Sequence, residues 1–99
     1  MRSPIEDMTE KELDFEVMKL AKMFNWLSYH THDSRRSAAG FPDRVLVRPP
    51  RIIFAELKTE KEKPTPDQMV WLETLARCPG NEVFLWRPSD LEEIATVLR

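Results

Sequence analysis

The chain has 99 residues with a formal net charge of −2, and 41% of its residues are hydrophobic and 32% charged. A chain of this size and composition supports one small soluble domain, residues 1–99, and excludes an intrinsically disordered tail. The single cysteine, Cys78, excludes a disulfide-stapled scaffold, and no apolar run approaches the roughly 20 residues that span a bilayer. We therefore expect a cytoplasmic protein that does not use a membrane.

The first predicted element is a helix that begins after Thr9. Glu12 follows Thr9 by three residues, which is the spacing of a capping box. Glu10 and Asp14 lie one helical turn apart at the edge of the apolar stripe, so both acids are expected to lean inwards. The favourable interaction of an acid with the helix dipole is an equally ordinary reason for such residues. The stripe itself recurs at helical spacing and consists of Leu13, Val17, Leu20, Ala21 and Phe24.

Three strands are predicted in the middle of the chain. Between the second and third strands, Pro49 and Pro50 predict a tight antiparallel return. The third strand is apolar on both faces at residues 52–55, which is typical of a central strand covered on each side. The predicted bounds of the three strands are residues 26–32, 43–48 and 51–58.

A strand-helix-strand unit is predicted in the second half of the chain. Thr65 and Gln68 have the spacing of a second capping box and predict a helix. Residues 82–87 form a fourth strand, which is expected to pair parallel to the third. Ser89 and Glu92 predict a third capping box and a C-terminal helix. The resulting order, αβββαβα, predicts an α/β fold with a mixed central sheet flanked by helices.

Two acids and a lysine are expected to converge at one end of the second and third strands. Glu56 and Lys58 point to the same face of the third strand, because side chains alternate along a strand. Asp43 opens the second strand, and the antiparallel return brings it towards Glu56. Each of these residues also has an ordinary explanation. Glu56 and Lys58 can form an ion pair, Asp43 can belong to a turn, and Gln68 can serve only as a helix cap.

The basic residues concentrate in the segment that holds these motifs. Residues 32–63 carry eight Lys or Arg residues against five Asp or Glu residues, a net charge of +3. A positive segment favours a nucleic acid as partner, although a solvated surface of mixed charge explains it as well. Contacts to phosphate supply affinity without sequence choice. The candidate phosphate contacts are His32, Arg35, Arg36, Lys61 and Lys63.

Several short motifs occur in order along the chain and together carry a resemblance to a known family. They are Thr9-Glu10, His30-Thr31-His32-Asp33-Ser34-Arg35-Arg36, Gly40-Phe41-Pro42-Asp43, Glu56-Leu57-Lys58 and Gln68. In their order and spacing the chain resembles the VRR-NUC branch of the PD-(D/E)xK nuclease superfamily. The resemblance covers nearly the whole chain. It implies a restriction endonuclease-like fold of the stand-alone type found in bacteria and phages, acting in a bacterial or phage-infected cell.

The resemblance implies a metal centre. Asp43, Glu56 and the main-chain carbonyl of Leu57 would bind Mg²⁺ or Mn²⁺, and Lys58 would position the attacking water and the phosphate. These residue types suit phosphodiester hydrolysis, because a divalent cation held by oxygen ligands activates water and neutralises phosphate charge. A lysine beside the metal adds charge stabilisation.

Two further site residues are implied by the resemblance. Gln68 would support the site from the start of its helix, and Glu10 would be the family's acid on the first helix. Asp14, one helical turn after Glu10, is a credible substitute for it. The implied catalytic set is therefore Glu10, Asp43, Glu56, Lys58 and Gln68.

The function that this resemblance implies is that of a metal-dependent DNA endonuclease. A small homodimer would present two sites to two strands, which favours Holliday junctions or other branched DNA as the substrate. Two alternatives remain open at this point. A catalytically silent module of the same fold would bind nucleic acid without turnover. A structural or interaction protein would use Glu56 and Lys58 as a local ion pair.

Overall fold

The computed structural model describes residues 4–32 and 37–99. The predicted order αβββαβα and the mixed sheet are confirmed, with one short helix added at the start. Residues 26, 31 and 32 lie outside the first strand, which is shorter than predicted. The elements are α1 (Pro4–Asp7), α2 (Glu10–Met23), β1 (Leu27–His30), β2 (Arg44–Arg48), β3 (Arg51–Leu57), α3 (Pro66–Ala76), β4 (Glu82–Trp86) and α4 (Leu91–Leu98).

The four strands form one sheet in the spatial order β1-β2-β3-β4. The pairs β1–β2 and β2–β3 are antiparallel, and Arg48 opposite Arg51 closes the hairpin at Pro49 and Pro50. The β3–β4 pair is parallel, as predicted, and α3 connects the two strands. The apolar strand β3 therefore lies inside the sheet, with a neighbour on each side.

The main core lies on the face of the sheet that α2 and α4 cover. Ile53, Ala55 and Leu57 of β3 are buried there. Because side chains alternate, Phe54 points to the opposite face, where the ring of Phe41 packs against it at 6.1 Å between centroids. From the helices and the other strands the core takes Leu13, Val17, Ala21, Trp26, Leu46, Trp86, Ile94 and Leu98. No helix in the described part of the chain is long and apolar enough to cross a membrane.

Two of the three predicted capping boxes are present, and the third prediction is wrong. Thr9 with Glu12, and Thr65 with Gln68, make both reciprocal hydrogen bonds. A 3₁₀ turn, Pro88–Asp90, precedes α4 and moves the helix start to Leu91. The Asp90 carboxylate consequently accepts a hydrogen bond from the Arg87 N–H at 2.8 Å, and α4 has no side-chain cap.

Two arginines hold the C-terminal ends of α2 and α4 together. The guanidinium groups of Arg48 and Arg51 lie over the Trp26 ring, at 4.5 and 5.0 Å from its centroid. The Arg48 guanidinium donates to the carbonyls of Phe24 and Leu98 at 2.9 and 3.0 Å. The Trp26 indole N–H also donates to the Leu98 carbonyl, at 2.9 Å. Cations are stabilising at these positions because helix C-terminal carbonyls carry partial negative charge.

The loop that leads into Asp43 docks on the start of α3. Gly40 has a positive φ of +85°, and a Cβ atom there would lie only 2.4 Å from the carbonyl carbon of Asp67. The Trp71 indole N–H donates to the Ala39 carbonyl at 3.1 Å. The rings of Phe41 and Trp71 meet edge to face at 5.0 Å. A glycine is required at position 40 by both the backbone conformation and the close approach of α3.

We expect Gly40→Ala to destabilise the protein substantially more than Gly80→Ala, because only Gly40 is tightly packed. Gly80 shares the positive φ, at +88°, but a Cβ atom there would meet nothing within 4 Å. The control, Gly80→Ala, should therefore lower the free energy of unfolding only by the cost of the positive φ, about 1 kcal/mol. Gly40→Ala should lower it by about 1–3 kcal/mol more, because the added methyl group also overpacks the contact with α3. Urea unfolding of both variants measures the difference. Equal losses would show that the loop does not pack closely on α3.

Candidate active site

An acid of β3 and the lysine that directly follows the strand are buried side by side; the strand ends at Leu57, one residue earlier than predicted. The side chain of Glu56 is 1% exposed, and Lys58 is 7% exposed. The Lys58 Nζ atom lies 3.6 Å from Glu56 Oε2, as expected for residues two apart on one strand face. Buried charges are poorly solvated, so their stability depends on the groups that lie next to them.

Asp43 lies next to Glu56 because of the β2–β3 register. Arg44 pairs with Ala55, so the residue before Arg44 stands beside the residue after Ala55. The Asp43 Oδ2 atom accepts a hydrogen bond from the Leu57 N–H at 2.8 Å. The Asp43 carbonyl accepts from the Thr31 N–H at 3.0 Å. Asp43 is thereby fixed on both its main chain and its side chain.

The Glu56 carboxylate is buried without a hydrogen-bond donor. Neither Oε1 nor Oε2 has a hydrogen-bond partner in the structure. Burial, followed by the negative charge of the neighbouring Asp43 carboxylate, raises the pKa of Glu56 from 4.5 to about 8. The nearby Lys58 ammonium acts in the opposite direction. A bound cation would relieve both the desolvation and the repulsion.

Helix α2 contributes Glu10 to this group, and it uses Asp14 differently. The Asp14 carboxylate accepts two hydrogen bonds from the Arg44 guanidinium, at 2.8 and 2.7 Å. Partial burial and the carboxylates of Glu62 and Asp43 raise the pKa of Glu10, whereas Lys58 lowers it. The charges of Asp43 and Lys58 thus act on Glu10, whereas the Asp14 carboxylate is held in the ion pair with Arg44.

A surface cavity of about 450 Å³ opens at this position. It brings together Glu10, Asp43 and Leu57 with Asp14, whereas the predicted site residues Glu56, Lys58 and Gln68 do not line it. Four other residues around the centre have no role predicted from the sequence. Three of them line the cavity, and the charge of the fourth acts on Glu10; they are Lys11, His30, Arg44 and Glu62. The sequence does contain a signal for Glu62. Thr59 and Glu62 have the spacing at which a threonine hydroxyl caps a turn, and this turn directly follows Lys58.

Gln68 lies at the start of α3, close to the loop that carries Asp43. Its side-chain oxygen accepts a hydrogen bond from the Thr65 N–H at 2.8 Å. Its own main-chain nitrogen would lie 2.6 Å from a Cβ atom on Gly40. The observed contacts of the Gln68 side chain are thus those of a helix cap, and its role in the site stays a prediction.

The candidate phosphate contacts that the structure describes lie at the surface, whereas Glu56 and Lys58 are buried. His32, Lys61 and Lys63 are exposed. Arg35 and Arg36 lie outside the described residues. The described members of this set can reach a polyanion without desolvation, and their contacts with DNA remain predictions.

The donor set fits a small divalent cation that retains much of its water. Glu56 offers two unpartnered oxygens, and Asp43 has one oxygen outside its bond to Leu57. Among the described residues there is no group of three or more His, Cys, Asp or Glu side chains that could hold a metal ion. Two carboxylates with a main-chain carbonyl suit Mg²⁺ or Mn²⁺, because Mg²⁺ commonly takes one or two protein carboxylates and completes its shell with water and phosphate.

The comparisons with known proteins agree with this architecture. The family model of the VRR-NUC domain matches residues 4–87 of the chain. A solved structure described as a VRR_NUC domain superposes with a TM-score of 0.72 and 21% identity, covering 90% of this chain and 97% of that one. A second, described as a VRR_NUC domain protein, gives a TM-score of 0.71 and 20% identity, covering 92% of this chain and 85% of that one. No curated protein sequence matches significantly.

We expect Glu56→Gln to flatten the pH dependence of stability in the presence of EDTA. Between pH 4.5 and about 8, the unfolded chain releases the Glu56 proton while the folded chain retains it. The unfolded state then binds fewer protons, so stability falls as pH rises and the loss is complete above the folded pKa. At pH 9 the variant should melt about 5 °C or more above the parent, as measured by circular dichroism.

The control for this experiment is Glu73→Gln, which alters an exposed acid on α3. It should reproduce the pH profile of the parent. A parent whose melting temperature does not fall more steeply than that of Glu56→Gln over this range would contradict the assigned ionisation of Glu56.

Proposed function

Because the chain belongs to the VRR-NUC domain family, a family of nuclease domains, we propose that it hydrolyses phosphodiester bonds of DNA with Mg²⁺ or Mn²⁺. The observation that carries the proposal is the buried Glu56 carboxylate, which has no hydrogen-bond donor and stands beside Asp43 and Lys58. A purely structural ion pair would be expected to satisfy its buried oxygens. A site that binds a cation leaves them available.

In this proposal Asp43, Glu56 and the Leu57 carbonyl hold the cation. When bound, the cation lowers the pKa of a coordinated water and offsets the charge of the scissile phosphate. The Lys58 ammonium donates hydrogen bonds to the attacking water and to a phosphate oxygen. Its burial excludes competing solvent, so the interaction is stronger than it would be at the surface.

Glu10 and Gln68 complete the proposed catalytic set from two different helices. Glu10 accepts a hydrogen bond from water in the cavity and orients it. Because the Gln68 side-chain oxygen accepts from Thr65, its amide nitrogen is the part that would donate to the DNA backbone. Both residues thus act on groups around the scissile phosphate.

DNA binding in this proposal depends on phosphate contacts. Lys61 and Lys63 follow the site lysine in the loop between β3 and α3, and His32 follows β1. Arg35 and Arg36 extend this basic segment in the sequence. Contacts of this kind recognise the shape and charge of DNA without reading bases.

The favoured substrate is a Holliday junction or other branched DNA, cut by a homodimer. All four residues of the edge strand β1 are exposed, with Leu27 at 74% and Tyr29 at 55%. An open edge strand with apolar side chains is a surface on which a second copy can pair. Two copies would present two centres to two DNA strands. Light scattering tests the dimer, which should have twice the 11.7 kDa mass of one chain.

The decisive experiment compares cleavage of labelled four-way junction, flap and linear duplex DNA in Mg²⁺, Mn²⁺ or EDTA. We expect junction-selective cutting that needs the metal and that Asp43→Asn and Lys58→Met each reduce by about 100-fold or more. Asparagine suits this test because its side-chain oxygen can still accept the Leu57 N–H, so the fold is kept while the charge is lost.

Three controls make the result interpretable. Glu73→Gln, on the exposed side of α3, should cut like the parent. Lys61→Ala and Lys63→Ala should each weaken DNA binding and reduce its salt dependence by about one ion, with little change at saturating DNA. Metal-independent binding without cutting would favour a silent binding module. A chain that neither binds nor cuts would favour an interaction protein.

A further inference from the structure

The loop between β3 and α3 is tied to the segment of chain that leaves β4. The Arg87 guanidinium donates from Nη1 to the carbonyls of Thr59 and Glu62, the latter at 2.7 Å. The Ser89 N–H donates to the Glu60 carboxylate at 2.9 Å. Loops that run over a protein surface are usually mobile, but these three hydrogen bonds hold the first half of this loop in a defined path.

The side chain that makes two of these bonds starts from a rigid part of the main chain. The Arg87 N–H donates to the Asp90 carboxylate at 2.8 Å, and the Asp90 N–H donates to the Arg87 carbonyl, also at 2.8 Å. Pro88, between them, is fully buried. The Lys58 N–H donates to the Trp86 carbonyl at 3.0 Å, so main-chain pairing continues up to the residue before Arg87. The guanidinium therefore reaches the loop from a fixed origin.

The loop carries two lysines whose charges are not paired within the described chain. Lys61 and Lys63 are exposed, and neither forms an ion pair with any residue of segments 4–32 and 37–99. A flexible loop would lose conformational freedom when its lysines bind phosphate, and that loss opposes binding. A loop that is already ordered loses much less, so hydrogen bonds to the loop can strengthen the binding of DNA without touching it.

We propose that Arg87 is a positioning residue for DNA binding, which clamps the β3–α3 loop and thereby presents Lys61 and Lys63 in a fixed place beyond the site lysine, Lys58. Arg87 acts through the loop, since its Nη1 atom donates to loop carbonyls. The effect on DNA rests on the proposed nuclease function, whereas the clamp is a property of the folded chain alone.

The clamp is measured without DNA, by amide hydrogen exchange followed by NMR. The N–H groups of Ser89 and Glu62 report on it, because each donates a hydrogen bond to a side chain of the loop. In Arg87→Met we expect both amides to exchange about 10-fold faster than in the parent, since the loop opens more often. Arg77→Met, at the exposed end of α3, removes the same charge and should leave both exchange rates unchanged.

The effect on DNA is measured by fluorescence anisotropy with labelled four-way junction and duplex DNA in EDTA. Arg87→Met should weaken binding about 10-fold, and more than Arg77→Met does. In a chain that already carries Lys61→Ala and Lys63→Ala, the two arginine variants should bind DNA equally, because the clamp acts only through these lysines. A residue that contacted DNA itself, or that only kept the domain folded, would weaken binding to the same extent in both backgrounds.

Melting temperatures are recorded in parallel to show that each variant is folded. If Arg87→Met does not fold, Arg87→Lys takes its place, with Arg77→Lys as its control. Lysine keeps the charge, but its nitrogen lies one bond nearer the main chain than Nη1 and cannot hold both carbonyls in the same geometry.

The outcomes separate the clamp from the proposed nuclease function. Faster exchange, together with a loss of affinity that disappears in the background without the two loop lysines, supports the proposal. Unchanged exchange of both amides overturns the clamp, and equal losses of affinity in both backgrounds overturn its action through the lysines. A parent that binds no DNA overturns the nuclease function and the role in DNA binding, even where faster exchange in Arg87→Met shows that the clamp exists.

Discussion

The constraint on which the site depends is the burial of one carboxylate, Glu56, inside a sheet. Moving such a group out of water is costly unless it is paired, protonated or bound to a cation. In this protein the desolvation cost is only partly offset. The Lys58 Nζ atom lies 3.6 Å from Glu56 Oε2, and neither Glu56 oxygen accepts a hydrogen bond. Asp43 adds a second negative charge at the same place. Such an arrangement is costly by itself, and a bound cation would offset both the burial and the repulsion.

The geometry of the site is set by packing that lies outside it. Gly40 allows the loop before β2 to approach the first turn of α3, and Phe41 fills the space between Phe54 and Trp71. This docking fixes the point at which the chain enters β2 at Asp43. On the other face of the sheet, the guanidinium groups over Trp26 bind the last carbonyls of α2 and α4. The sheet that carries the acids is therefore anchored on both faces.

The parts of the fold that sequence reasoning predicted are those encoded by short-range signals. Alternation along β3 predicted that Glu56 and Lys58 share a face, and capping spacing located the starts of α2 and α3. The missed features depend on residues far apart in the chain. Nothing near Asp14 announces that Arg44 will bind it, and Arg87 reaches Glu62 across 25 positions. The failed cap at Ser89 is a local error of another kind, since Pro88 starts a 3₁₀ turn that shares the early signature of a helix.

The hydrogen bond from the Leu57 N–H to Asp43 gives the candidate active site a spectroscopic reporter. Most amide N–H groups of a central strand donate to main-chain carbonyls, and the charge of a carbonyl changes little when a ligand binds. The Leu57 N–H instead donates to a carboxylate at 2.8 Å, so the chemical shift of its proton depends on the charge of that carboxylate. Neutralising the charge of Asp43 with a cation would weaken the bond and move the Leu57 amide resonance upfield. A single backbone signal would then follow occupancy of the centre directly, whichever polymer the protein acts on.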